Sequence, residues 1–365
     1  MWNLQNSKKN YERKCLCSTF MKKNMGIFFK NKKYFYGLSL AFLGGGLASL
    51  IGIPLPWMLG PLIIIGISTA SNLSIKIPDS PRPFCRALLG CAIGSNFSPE
   101  VLSRFFEIGL SLIILPVFIL TMIFCTAIYL KKIKKFDLKS SIFCSVPGGL
   151  NEMVILGKEI GVNPRIMTLM HSTRIVVVVF FASLLLYFLP NETESISLDI
   201  ELYKNYEQLP AVILVSYFGY FLGKIINLPG YTITGPMIFS GILHMFGLIK
   251  AMPIYLLIIV IQVILGSVLG AQFKNIERKD IYGPVLSGLI TTMLAFIPLF
   301  IFVIILYKFD YDLISIILSY SPGGQTEMNI LALSVGADMA FISTHHMFRV
   351  FMVIMFAALI QRYLK

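Results

Sequence analysis

Two Pro-Gly-Gly tripeptides stand beside the residues most able to do chemistry in this chain. Pro147-Gly148-Gly149 is followed by Asn151 and Glu152, and Pro322-Gly323-Gly324 by Gln325, Thr326 and Glu327. Both lie in apolar surroundings, where a carboxylate is costly unless it is protonated, paired or hydrated. Proline removes a backbone donor and glycine admits positive φ, so each tripeptide is expected to break a helix. A helix restarting after the break points its positive end at it, which favours an anion there. Glu152 and Glu327 therefore read in two ways. They bind a coupling proton or cation or form part of a solute cradle, or they cap the N–H groups of the restarted helix.

Two further pairs follow downstream, His171 with Arg174 and His346 with Arg349. Three residues apart on a helix, each pair shares a face. An arginine at membrane depth is a functional hypothesis by default. The alternative is a structural ion pair, Arg174 with Glu152 and Arg349 with Glu327. The histidines are of the type that titrates near neutral pH and serves a proton relay, or they simply make hydrogen bonds between helices. His345 and His244 have no histidine at the matching positions, which are Met170 and Thr69, and carry less weight.

The elements that position these residues are long apolar runs. The chain has 365 residues, 56% of them hydrophobic and only 13% charged. Its mean hydropathy is +0.78. An ordinary soluble domain carries about a quarter charged residues, so lipid is the expected solvent. Runs fall near 36–53, 57–72, 83–97, 108–130, 140–157 and 166–189, and again near 210–227, 232–247, 253–272, 282–307, 313–333 and 339–361. Several are long enough to span about 30 Å of hydrocarbon as helices.

The two sets repeat each other. Pro54, Gly60-Pro61, Pro147-Gly148-Gly149, Glu152-Met153, Gly161, His171 and Arg174 each recur 175 residues later. Gly90, Gly94 and Phe97 recur at an offset of 176, as Gly266, Gly270 and Phe273. This is a tandem duplication. The expected organisation is a basic, disordered leader over 1–35, a first membrane repeat over 36–189, an acidic linker over 190–208 and a second repeat over 209–362.

Charge decides the expected topology. If all six runs of a copy cross, the acidic linker falls in the cytoplasm. If the Pro-Gly-Gly run is re-entrant, each copy crosses five times and the second copy is inverted. With the basic leader inside, this second arrangement also puts inside the loop 73–86, the five lysines of 131–139, the stretch from Lys158 to Arg165 and the stretch from Lys274 to Lys279. The acidic linker then lies outside. Positive loops inside favour this arrangement. The expected fold is an all-α integral membrane protein with two inverted repeats, each of about five crossings plus a broken Pro-Gly-Gly segment. Inverted repeats with discontinuous helices are the architecture of secondary transporters.

Other classes find little support. The net charge of +13 reads as a record of topology and of contact with anionic lipid, not as a nucleic-acid footprint. No P-loop is present for an ATP-driven pump. The six cysteines form no secreted framework, and no HExxH or CxxC pair marks a metal site. No cofactor is expected.

The segments "PWMLGPL", "SVPGGLNEMVILGKEIGVNPRIMTLMHSTRIVVV", "LPGYTITGPM" and "SPGGQTEMNILALSVGADMAFISTHHMFRV" resemble the duplicated AbrB-type family of bacterial membrane proteins, over residues 36–362. This is not the DNA-binding regulator of the same name. Members are labelled ammonia monooxygenases or AbrB family transporters, and the family name is tied to regulation of gene expression. The resemblance implies a polytopic inner-membrane protein, and the oxygenase label finds no metal cluster here to support it. The expectation is a secondary transporter of a small anionic or zwitterionic solute, coupled to H+ or Na+. A membrane oxygenase and a membrane regulator or scaffold are the alternatives.

Overall fold

The structure is a computed structural model, and it describes residues 32–53, 55–71, 73, 75–97, 105–188, 206–249, 255–274 and 277–364. Most of the leader and the acidic linker lie outside the described residues. Among the described residues, fourteen helices of eight or more residues fall into two series of seven. The first comprises α1 (Lys32–Leu50), α2 (Pro56–Ala70), α3 (Arg82–Gly94), α4 (Phe105–Lys132), α5 (Leu138–Ser145), α6 (Leu150–Glu159) and α7 (Pro164–Phe188). The second comprises α8 (Leu209–Ile225), α9 (Tyr231–Met245), α10 (Tyr255–Gly270), α11 (Leu286–Tyr307), α12 (Leu313–Tyr320), α13 (Gln325–Ser334) and α14 (Met339–Leu364). No strand occurs among the described residues.

Local signals recur in step between the series. α5 and α12 start at Asp137 and Asp312, whose carboxylates accept from Ser140 N (3.1 Å) and Ser315 N (2.7 Å). Such side-chain caps satisfy donors that the first helical turn leaves orphaned. α2 and α9 both start after a left-handed residue, Leu55 (φ 49°) and Gly230 (φ 61°). The short helices α2 and α9 carry Pro61 and Pro236 inside them.

Among the described residues six stretches are long and apolar enough to cross a membrane: Ile108–Lys132, Pro164–Leu186, Tyr206–Ile225, Tyr255–Phe273, Tyr282–Tyr307 and Met339–Ala357. Their outward faces stay apolar. On α4, Ile113, Val117, Leu120 and Phe124 are exposed at helical spacing, and so are Ile297, Ile301 and Ile304 on α11. Apolar stripes of this extent belong against lipid, and the chain is a multi-pass membrane protein.

Packing between the series is reciprocal. A Cβ on Gly90 of α3 would lie 2.3 Å from Ile233 O on α9, and one on Gly94 would lie 2.4 Å from Met237 O. A Cβ on Gly266 of α10 would lie 2.3 Å from Met58 O on α2, and one on Gly270 would lie 2.6 Å from Leu62 O. Each helix thus lies backbone to backbone on a helix of the other series. The contacts ascend together along both helices of each pair, so α3 runs parallel to α9, and α10 runs parallel to α2. Inside each series the first two helices run antiparallel. Gly44 touches Gly60 while Gly45 meets Trp57, and Gly219 and Gly223 meet Gly235. Lys76 N donates to Lys33 O (3.3 Å), which holds the α2–α3 connection near the start of α1.

An ion pair joins the first turn of α7 to the segment before α11. Arg165 Nη2 lies 2.5 Å from Asp280 Oδ2. The Glu277 N–H also donates to this oxygen (3.0 Å) and is the larger reason that the Asp280 carboxyl is held below its ordinary range, with Arg165 adding to it. A carboxyl lowered by folding stabilises above its unfolded value, about 3.9, and that stability is lost as pH falls through the folded value. The Arg165 side chain is half exposed, so the pair is worth about 1 kcal/mol at most. Asp280→Asn is therefore expected to lower the melting temperature slightly at pH 7. The gap to wild type should close below about pH 4. A gap that persists unchanged at pH 3 would contradict the assignment.

Candidate functional site

The Pro-Gly-Gly segments interrupt the helix ladder in both series. α5 ends at Ser145 and α6 restarts at Leu150, while α12 ends at Tyr320 and α13 restarts at Gln325. Val146 and Ser321 turn to extended backbone (ψ 128° and 132°), and Gly149 and Gly324 precede the restart at ψ 135° and 146°. Backbone opened in this way needs partners from protein or water at membrane depth. Pro147, Pro322 and Gly323 are buried, and Gly148 and Gly324 are half-buried.

The arginines supply those partners. Arg174 and Arg349 each stand ten residues beyond the first residue of their helices, α7 and α14. Arg174 Nη1 donates to Val146 O (3.0 Å). Arg349 Nη1 donates to Ser321 O and its Nη2 to Gly323 O, both at 2.6 Å. Arg174 is 6% exposed and Arg349 2%. The expected pairing of Arg349 with Glu327 is not what the structure contains. Among the described residues no ion pair joins them, because both guanidinium nitrogens that face the break bond its carbonyls. The planar guanidinium holds its N–H donors in a fixed fork, so its two Nη groups reach the carbonyls of Ser321 and Gly323 at once.

Glu327 folds back over the break instead. Its Oε2 lies so close to Gly324 that a Cβ there would come within 1.9 Å. Glu327 is the third residue of α13, the position from which a carboxylate reaches back to a helix start. The corresponding Glu152, with Asn151, begins α6, and both side chains lie outside the described residues. Gln325 and Thr326 are buried in the first turn of α13, and Asn329 one turn on donates to Gln325 O (2.7 Å) and accepts from Ser343 Oγ (2.8 Å).

The histidines are buried in both series. His346 Nε2 donates to Leu318 O (3.1 Å), and its Nδ1 has no partner. His171 lies beside the backbone of Phe143, the position that matches Leu318. Ser172 Oγ, Thr173 Oγ1 and Arg174 Nε are unpartnered, as is Arg349 Nε. Apolar Met347 and Phe348 stand where Ser172 and Thr173 do.

Two features escaped the sequence reading. Arg86, placed there both in the positive loop 73–86 and in the short run 83–97, lies inside α3, and its Nε donates to Thr326 Oγ1 (3.2 Å) on α13 of the other series. His345, given little weight, sits in a buried chain. Its Nδ1 donates to Phe341 O (2.7 Å), so its neutral Nε2 accepts from Ser111 Oγ (2.8 Å). Tyr320 OH donates to Ser111 O (2.6 Å). That chain ties α4 to the end of α12 and to α14. Among the described residues no three His, Cys, Asp or Glu side chains converge on a point where a metal ion could sit.

The family model described as "Transition state regulatory protein AbrB" matches residues 57–365. The chain belongs to the AbrB family. "Uncharacterized protein YhjN" of Bacillus subtilis (strain 168) is a relative at 25% identity over 346 residues, 87% of this chain and 89% of its own. "Putative regulator AbrB" of Escherichia coli (strain K12) is 25% identical over 339 residues, 90% of this chain and 93% of its own. No solved structure matches the chain.

Proposed function

We propose that this AbrB-family protein is a secondary transporter that moves a small anionic or zwitterionic solute by alternating access, with a proton or Na+ as coupling ion. One observation carries the reading: a buried arginine holds the opened backbone of a broken helix in each series, Arg174 on Val146 and Arg349 on Ser321 and Gly323. Broken helices lining a site between related halves are the working parts of such carriers. In this reading Glu152 and Glu327 bind the coupling ion or orient the solute, and the protein performs no covalent chemistry.

The helix directions support an inverted pair of repeats. Lys76 and Ile77, shortly before α3, lie against Lys33 and Gly37 at the start of α1. Antiparallel packing sets that end beside the end of α2, so α3 is read as running opposite to α2. α10, the counterpart of α3, runs parallel to α2, and α9, the counterpart of α2, runs parallel to α3. Counterparts then point in opposite directions across the membrane. Side-by-side contacts support re-entrant breaks. A Cβ on Gly157 of α6 would come within 3.4 Å of the Phe143 ring on α5, and the rings of Tyr311, before α12, and Phe341, at the start of α14, are 5.6 Å apart. In this reading each break returns to the side it entered. The reading places both termini in the cytoplasm and the chain in the bacterial inner membrane.

The test is uptake into proteoliposomes across a panel of small carboxylates, amino acids and inorganic anions. Glu152→Gln and Glu327→Gln are expected to cut uptake of the solute found at least tenfold. Full activity in both variants would remove the carboxylates from the mechanism. Reporters fused after Lys135 and inside the 190–208 linker are expected on opposite sides of the membrane, and same-side signals would reject the inversion. The regulator in the relative's name suggests a second reading, a membrane scaffold acting through the basic leader. Deleting residues 1–34 should leave uptake intact, whereas a scaffold role would not survive it. The oxygenase alternative requires stoichiometric copper or iron in purified protein.

A further inference from the structure

We infer that the N-terminus of α13, completed by Arg86 from the other series, is the place where a carboxylate-sized oxyanion of the solute binds. This rests on the transport reading and names the chemistry of its site. Four observations converge there. The helix begins at Gly324 with no side-chain cap on its first N–H groups, and such a start attracts anions. Arg86 brings a positive charge to Thr326 at that turn, its Nε bonded to the threonine hydroxyl (3.2 Å). The hydroxyl accepts in that bond, so its own proton is left to donate.

Gln325 is the third participant. It is 7% exposed, and its amide nitrogen has no partner. Side chains of a helix lean toward its N-terminus, so this donor on the first residue of α13 projects to the same end. Finally, the protein's own carboxylate already lies against that end, with Glu327 Oε2 packed on Gly324. The locus therefore accommodates a carboxylate. A solute carboxylate enters by taking the place that Glu327 occupies, and the displaced glutamate is then available to the coupling ion.

The position of Arg86 also explains why the two breaks need not be equivalent. At the matching offset α10 carries Gln262, and Asn151 stands where Thr326 does. Each break has its own arginine, Arg174 or Arg349, but the charge that Arg86 brings from the other series has no charged counterpart at position 262. An anion is therefore recognised at α13, by residues drawn from both series, and a motion that parts α3 from α13 releases it.

Binding is measured on the purified full chain in detergent, by the rise in melting temperature with acetate, succinate or phosphate and with tetramethylammonium as a cation control, all at constant ionic strength. At least one anion is expected to stabilise wild type, and tetramethylammonium is not. Arg86→Gln should weaken that anion at least tenfold, and Arg86→Lys should retain part of the effect. Glu327→Gln, which removes the internal competitor, should bind the same anion more tightly than wild type.

Equal anion binding by wild type and Arg86→Gln overturns the proposal. So does the absence of stabilisation by every anion in both wild type and Glu327→Gln. Either result leaves the transport reading standing if uptake of another class of solute is found. Loss of all uptake with the anion effects intact would sink the transport reading and leave this site in place.

Discussion

Replacing Arg349 by lysine is expected to damage the protein more than the same change at Arg174. Arg349 makes two charge-assisted bonds to carbonyls of the second break, at 2.6 Å each. Arg174 makes one to Val146 at 3.0 Å. Lysine keeps the charge but offers a point donor in place of a planar fork, so at least one carbonyl near Pro322 loses its partner. A hydrogen bond to a charged group contributes about 1.5–3 kcal/mol, and a buried group left unpaired costs about 1–3 kcal/mol. The loss is expected to show as a melting temperature of Arg349→Lys clearly below that of Arg174→Lys.

Arg349→Met separates charge from bonding. Removing a buried ion refunds its desolvation but orphans Ser321 O and Gly323 O together. Its melting temperature is expected to fall below that of the lysine variant. If Arg349→Lys, Arg349→Met and Arg174→Lys all melt and transport like wild type, the arginines do not hold the breaks.

Much of this site was readable in the residues. Pro-Gly-Gly cannot continue a helix, so both breaks were legible, and so were the arginines and histidines on the next helix. What an arginine bonds to was not legible. A backbone carbonyl carries no residue type, and the nearby glutamates offered a more familiar partner for Arg349. Arg86 was missed for a different reason. Its contact with Thr326 spans 240 residues and exists only because α3 packs on the other series. Read along the chain, Arg86 is one more positive charge at the end of a short run. His345 failed the test of repetition, since Met170 stands at its counterpart. Its partners Ser111 and Tyr320 come from α4 and α12, and local sequence reports neither. Repetition therefore found the features both halves share and hid the ones that make them differ.

The packing of the two series on each other yields the other large expected effect. Gly90→Ala and Gly266→Ala should each destabilise the fold strongly and to similar extents, because each puts a Cβ 2.3 Å from a backbone carbonyl, Ile233 O and Met58 O. A flexible side chain could move aside, but a carbonyl in the middle of a helix moves only with its helix. The crossing must open by about an ångström or the register must slip. Overpacking of this kind costs about 1–3 kcal/mol, and here it strikes the contact that joins α3 to α9 or α10 to α2. Gly46→Ala on α1 is the control, since nothing lies within 4 Å of the Cβ it would add.

Melting temperature and the monodisperse fraction in detergent should fall for the first two variants and not for the third. The double variant tests reciprocity. If the two crossings are independent the losses add, whereas if they form one hinge the second substitution costs less than the first. Three variants that melt alike would mean that the helices do not meet in this register. The parallel course of α3 with α9, on which the inverted topology rests, would fall with it.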